Sequence, residues 1–299
     1  MTESSLSQAL GPFLRQVAAD GRSRLTIESY RHQLVALAEG LDGVPLSQIG
    51  ADRLNVYLTS PAVLLTSEGA PKRVSTINRA KSIIRSFFRW CQRAGLVEQN
   101  PAAHLRSAVA CRPLMSHMTR AELERFLGTI RHARHPLAIR DHAIFATLAY
   151  TGIRLAEVIG LQLDDLDLRR RQLVLRQTKG GRMECRHLPV CLSPVLSGFL
   201  RSEVRRGISV PAPVFTARRG RALSPRAVEY RFAFWLRRAR IRRAFSVHSL
   251  RHTFGTLRYR TTKDLVLVSR ALGHRDIRST QRYAHLDDRR LIRAVNGMW

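Results

Sequence analysis

Acidic residues and lysines are scarce in this chain, and cysteines are few and scattered. Among 299 residues, 51 Lys+Arg stand against 22 Asp+Glu, a formal net charge of +29. That balance excludes a protein built for basic partners and points first to a polyanion, with counterion release supplying much of the affinity. The basic residues are almost all arginine, and only Lys72, Lys81, Lys179 and Lys263 depart from that usage. An arginine cannot give up its proton inside a protein whereas a lysine can, so a site needing a titratable amine would resist the bias. Cys91, Cys111, Cys185 and Cys191 have neither the paired spacing of a zinc site nor the density of a disulfide scaffold, and they read as reduced thiols. No run approaches the length of a bilayer span, and Met1 to Gln16 lacks a basic start followed by an apolar stretch. The expectation is a cytoplasmic, nucleoid-associated protein without a membrane partner. Carboxylates cluster once, at Asp164, Asp165 and Asp167, with Arg169 and Arg170 following. A two-metal phosphodiester site needs further carboxylates from elsewhere, so this cluster reads as a solvated turn, and no metal or other cofactor is expected.

A chain this long exceeds one comfortable core, which argues for two domains. From Leu10 to about Ala108 the pattern is helical. Thr26 is a candidate cap for a helix through Ala38, a second helix starts near Ala51, and a third runs from Ser75 through Gly95. The third buries Ile77, Ile83, Ile84, Phe87, Phe88 and Trp90 and carries Arg79, Lys81 and Arg85 on its other face, where they are candidate DNA-phosphate contacts. The stretch from Arg106 to His117 mixes small, basic and proline residues without periodicity, as a linker does. The division is therefore a helical domain over 1–108, a linker over 109–117 and a second domain over 118–299. Thr119 and Glu122 form a capping-box pattern at the start of the second domain, and a helix is expected from Asp141 to Tyr150. Two short strands, Gln172 to Arg176 and Arg186 to Val190, flank Thr178-Lys179-Gly180-Gly181, which places Lys179 on or beside a hairpin tip. Ser224-Pro225 marks another helix start.

Phosphodiester cleavage needs a nucleophile, charge stabilisation for the transition state and a proton for the leaving oxygen. The second domain offers basic residues and a tyrosine in a distinctive order. Thr151-Gly152-Ile153-Arg154 sets an arginine just after a glycine break, with Glu157 one turn on as a candidate to orient it. His248-Ser249-Leu250-Arg251-His252 places His248 and Arg251 three apart, on one face of a helix, where both can reach one phosphate. Leu272-Gly273-His274 follows, and nine residues after His274 comes Tyr283. His252 and His285 read as structural or peripheral, and Tyr230 as a packing residue.

In this order and spacing, the boxes resemble those of the tyrosine recombinases, the family of phage integrases and Xer-type enzymes, over nearly the whole chain. The resemblance implies a mainly helical protein with an α+β catalytic domain holding a small β-sheet. Together with a helical core-binding (SAM-like) domain, that domain would form a two-domain C-shaped clamp on DNA. It implies that Arg154 and Arg251 bind the non-bridging oxygens of the scissile phosphate, that Lys179 protonates the leaving 5′ oxygen and that His248 assists as base. His274 would hydrogen-bond the phosphate or orient Tyr283, which attacks phosphorus to give a 3′-phosphotyrosyl link without metal or ATP. It further implies a homo-tetramer on double-stranded DNA with paired inverted half-sites. The segment with Leu291, Ile292, Val295 and Met298 reads as an amphipathic helix whose apolar stripe either folds back on its own domain or docks on a neighbouring subunit, and the resemblance favours docking. The chain departs from the family pattern at Thr261-Thr262-Lys263, where a glycine often breaks the helix, and a different turn is expected there. No arm-binding domain is seen before Leu10, which argues against an integrase with separate arm sites. The readings set against recombination are a DNA-binding architectural protein and a type IB-like topoisomerase.

Overall fold

The computed structural model describes residues 4–109, 116–176, 183–205, 213–217, 220–274, 276–281 and 283. The chain divides into two compact units, Met1–Pro113 and Leu114–Trp299. The first holds α1 (Leu6–Ala19), α2 (Arg24–Gly40), α3 (Ala51–Thr59), α4 (Pro61–Leu64) and α5 (Val74–Arg93). The second holds α6 (Arg120–Arg131), α7 (Ala138–Thr151), α8 (Leu155–Ile159), β1 (Leu166–Asp167), β2 (Gln172–Leu175), β3 (Glu184–His187), α9 (Ser193–Arg205), α10 (Pro225–Arg238), α11 (Val247–Thr262), α12 (Leu265–Leu272) and α13 (Arg278–Gln281). Among the described residues no helix is long and apolar enough to cross a membrane. Lys179 and the segment carrying Leu291 to Met298 lie outside the described residues.

In the first unit, α5 buries Ile83, Ile84, Phe87, Phe88 and Cys91. Phe13 of α1 meets Phe87 edge-on at 5.3 Å between ring centres. Each such ring, taken out of water, contributes roughly 1.5–3 kcal/mol. Burial pushes the Cys91 thiol up to about 12, which makes it an inert core residue. The cap of α2 is Ser23, three residues before the candidate Thr26, and its hydroxyl accepts the Thr26 N–H at 3.3 Å and satisfies the first turn. The polar side of α5 fastens the chain that follows it. Asn78 exchanges two hydrogen bonds with the backbone of Ala108, at 2.8 and 2.9 Å.

The second unit is organised around α7, whose run from Ala143 to Ala149 is buried on all sides. It packs against α6, α9 and α11. Thr147 and Thr151 survive in this environment because each hydroxyl donates to the carbonyl four residues back, at 2.7 and 2.6 Å. The Thr119 and Glu122 capping box opens α6, and the Ser224 hydroxyl caps α10.

Among the described residues the strands form one antiparallel sheet in the order β1, β2, β3, with Leu173 opposite Arg186 and Leu175 opposite Glu184. Leu173 and Leu175 point into the core. The second strand runs over 184–187 rather than 186–190, since its pairing extends back to Glu184 opposite Leu175 while Pro189 cannot donate to a ladder. Of the acidic cluster, Asp164 is exposed, but Asp165 is only 3% exposed. Asp165 accepts the Gln162 N–H at 2.8 Å and pairs with Arg176, so it is a structural cap and not a solvated residue.

Helix α7 also starts a turn before Asp141, which is a buried hub and not a helix start. One of its oxygens accepts Arg140 at 2.8 Å, and the other accepts Arg231 at 2.6 Å and the Trp235 indole N–H at 2.8 Å. Asp141→Ala would leave two guanidinium groups without their carboxylate, a loss expected to cost about 3–5 kcal/mol. Denaturant unfolding checks this. A change under about 1 kcal/mol, within the range of an exposed pair, would show that the hub is not holding α7 to α10.

Candidate active site

Arg251 is 5% exposed and sits one turn into α11. Its guanidinium donates to Gly152 O at 2.6 Å and to Leu272 O at 2.8 Å. These carbonyls lie at the C-terminal ends of α7 and α12, where the helix dipoles favour a cation. Gly152 adopts φ +66°, and a Cβ there would lie 2.5 Å from the Phe254 ring, so the break after α7 requires glycine. The turn delivers Arg154 to the start of α8. Glu157 accepts both the Arg154 N–H at 2.6 Å and its guanidinium at 2.7 Å. The expectation that Glu157 orients an arginine matches this geometry. The Glu157 side chain is 6% exposed and that of Arg154 is 35% exposed, which leaves the arginine a face toward solvent.

Positive charge is in excess at this point. Burial lowers Arg251 to about 10, and the positive charges of Arg154 and Arg186 push the same way against Glu157 and Tyr283. Arg251 stays charged at neutral pH, and burial above all, with the nearby guanidinium groups, acts against that charge.

Tyr283 is 1% exposed, whereas Tyr230 is 66% exposed and does not pack as its sequence context suggested. The Tyr283 ring lies where a Cβ at Gly255 would be, 2.5 Å from the ring carbon that carries the hydroxyl. Its hydroxyl is 3.4 Å from His252 Nδ1. His252, read from sequence as structural or peripheral, is therefore the residue that sequence reasoning undervalued. The signal was its position one helical turn after His248, whose ring meets it edge-on at 4.5 Å. His248 is exposed on the same helix. His274 Nδ1 is 2.7 Å from the hydroxyl of Thr280, which ties the turn after α12 to α13 just before Tyr283.

Arg186 had no sequence signal. From β3 it donates to Arg270 O at 2.8 Å and pairs with Glu184, and Gly273 packs against that pair. The departure at residues 261–263 is a turn closed by Lys263 itself in the left-handed region at φ 56°, with Asp264 then capping α12. Two other lysines are also engaged structurally. Lys72 donates to Ala62 O at 2.7 Å and Lys81 to Arg106 O at 3.3 Å. Arg85 reaches Leu105 O at 2.7 Å and Arg79 the Ser29 hydroxyl at 2.7 Å, so the basic face of α5 is partly occupied by its own chain.

A family model described as the phage integrase family matches residues 116–290, and one described as the phage integrase N-terminal SAM-like domain matches residues 12–95. A tyrosine recombinase XerC of Alcanivorax borkumensis is 32% identical over 97% of this chain and 93% of its own length. One from Xanthomonas campestris pv. campestris is 33% identical over 97% and 87%. Among solved structures, XerH bound to a palindromic difH substrate superposes with a TM-score of 0.74 at 22% identity, over 97% of this chain and 84% of that one. A lambda integrase dimer bound to a COC′ core site gives 0.72 at 17%, over 94% and 77%. The buried arginine at the helix ends, the tyrosine seated beside it and this similarity along the whole chain agree: the chain belongs to the phage integrase family and is a tyrosine recombinase, an enzyme of DNA strand exchange.

Proposed function

We propose that this chain is a site-specific recombinase that cuts and rejoins double-stranded DNA through a 3′-phosphotyrosyl bond to Tyr283. One arrangement carries the reading: a buried Arg251 held by Gly152 O and Leu272 O, a partly exposed Arg154 two residues past that glycine and oriented by Glu157, and a buried Tyr283 packed on Gly255 of the helix that carries Arg251. A phosphodiester supplies the missing negative charge. Arg154 and Arg251 bind its non-bridging oxygens and stabilise the charge that builds on them as the tyrosine oxygen attacks. Lys179 protonates the leaving 5′ oxygen, a role for which a titratable amine is suited and an arginine is not. The resemblance gives His248 the part of assisting base, and His274 that of hydrogen-bonding the phosphate or orienting Tyr283. The phosphotyrosyl bond conserves the energy of the broken phosphodiester, so rejoining needs neither ATP nor metal.

Residues 1–108 serve as the core-binding domain, 109–117 as linker and 118–299 as the catalytic domain. Arg79 is exposed on α5 and available to phosphate. Lys81 and Arg85 keep donors free beyond those given to the backbone of residues 105 and 106, because an ammonium has three and a guanidinium five. The protein acts in the cytoplasm on nucleoid DNA, as a homo-tetramer on paired inverted half-sites.

Tyr283→Phe is expected to bind DNA like the parent and to trap no protein–DNA adduct on a nicked suicide substrate. An adduct with the Phe variant would overturn the assignment. Lys179→Ala is expected to cleave an ordinary substrate roughly 10²–10⁴-fold more slowly. It should recover on DNA with a bridging 5′ sulfur, which leaves without a proton; equal defects on oxygen and sulfur would reassign Lys179 to binding. Gel shifts should show that one half-site binds a monomer and that paired inverted half-sites fill cooperatively, and independent filling of the pair would contradict the assembly.

A further inference from the structure

Recombination needs a group to take the proton of Tyr283. The resemblance places the assisting base at His248; we propose that the group that takes the proton is instead His252, one helical turn on, which holds the Tyr283 hydroxyl and accepts its proton as the phosphotyrosyl bond forms. The proposal rests on reading Tyr283 as the nucleophile.

The placement follows from α11. Arg251 is fixed by the ends of α7 and α12, and the next residue on the helix is turned by about 100° to the face that looks onto Tyr283. His252 Nδ1 stands 3.4 Å from the tyrosine oxygen, with the two rings 6.4 Å apart and tilted by 57°. This distance is at the long end for a hydrogen bond, as is common for catalytic contacts before substrate arrives. The tyrosine cannot slide past the contact on the helix side, because its ring already fills the space left by the missing side chain of Gly255. His252 is half-buried and its other side is braced edge-on by His248 at 4.5 Å, so its ring is held in one orientation. An imidazole protonated at Nε2 presents a lone pair at Nδ1, the geometry an acceptor of the phenol proton requires.

The step balances as follows. The tyrosine O–H proton passes to His252 Nδ1, giving an imidazolium. The tyrosine oxygen bonds to phosphorus, the bond from phosphorus to the 5′ oxygen breaks, and that oxygen leaves with a proton from the general acid. Rejoining runs the same transfers backwards, with the imidazolium returning its proton to the departing tyrosine oxygen. Nothing is oxidised or reduced.

The test uses the full-length chain and single-turnover adduct formation on a nicked suicide duplex. Tyr283 is replaced by 3,5-difluorotyrosine, whose more acidic phenol needs a base less, alone and together with His252→Ala. His252→Ala alone should slow adduct formation by roughly 10²–10⁴-fold, with DNA affinity and thermal unfolding near those of the parent. The fluorinated tyrosine should win back at least tenfold of that loss, while changing the parent far less. A role in packing alone predicts equal fluorine effects in both backgrounds, and that result, or a parent-like rate for His252→Ala, overturns the proposal. Should the Ala variant unfold, His252→Asn keeps an acceptor near Nδ1 but takes no proton. It should bind DNA normally and cleave slowly, and cleavage at the parent rate would count against His252. Failure of the nucleophile assignment reads differently, as adduct surviving in Tyr283→Phe.

Discussion

A guanidinium buried in the second unit is the constraint on which the rest of the site depends. A charge out of water must be met by partners or it destabilises the fold by several kcal/mol. Arg251 is met by two backbone carbonyls, at the C-terminal ends of α7 and α12. Satisfying it brings those helix ends together, and each is followed by a glycine turn that leads to a residue of the proposed site. Beyond Gly152 comes Arg154, and beyond Gly273 comes His274. His274 in turn holds Thr280, which is fully buried and three residues from Tyr283. One buried cation thus sets the positions of a second cation, a histidine and the tyrosine, and the carbonyls that hold it do not cancel its charge.

The same economy appears elsewhere. With 22 acidic residues for 51 cations, carboxylates cannot pair every arginine. Carbonyl oxygens add acceptors: Arg85 takes Leu105 O, while Arg140 takes Thr216 O beside Asp141 and Arg186 takes Arg270 O beside Glu184. The few buried carboxylates are spent where one must serve several donors, as Asp141 does for Arg140, Arg231 and Trp235. Structural arginines therefore consume little negative charge, and the net charge remains available for long-range attraction to DNA.

Much of this was legible in the sequence because it rests on local patterns. The mainly helical fold with a small sheet, the caps at Thr119 and Ser224, and Glu157 as the partner of an arginine follow from spacing within one helix or turn. What stayed hidden depends on distant contacts. Asp141 looks like any first-turn acid until Arg231 and Trp235, about ninety residues away, are seen to point at it. Arg186 was one arginine among many, and only its approach to Gly273 sets it apart. His252 had the right spacing from His248 but shares no sequence pattern with Tyr283, and Tyr230 was expected to pack because a tyrosine's helical neighbours do not reveal which side faces water. Strand boundaries shifted because register is set across the pair and not by one strand's composition.

The account stands or falls on which atom carries the DNA. Trapped adduct from a suicide substrate, digested and sequenced by mass spectrometry, identifies the modified residue and the end of the broken strand together. The proposed function predicts a single peptide bearing Tyr283 joined to a 3′ phosphate. A nucleotide on Tyr230 or on any serine, or a link to a 5′ phosphate, would contradict it.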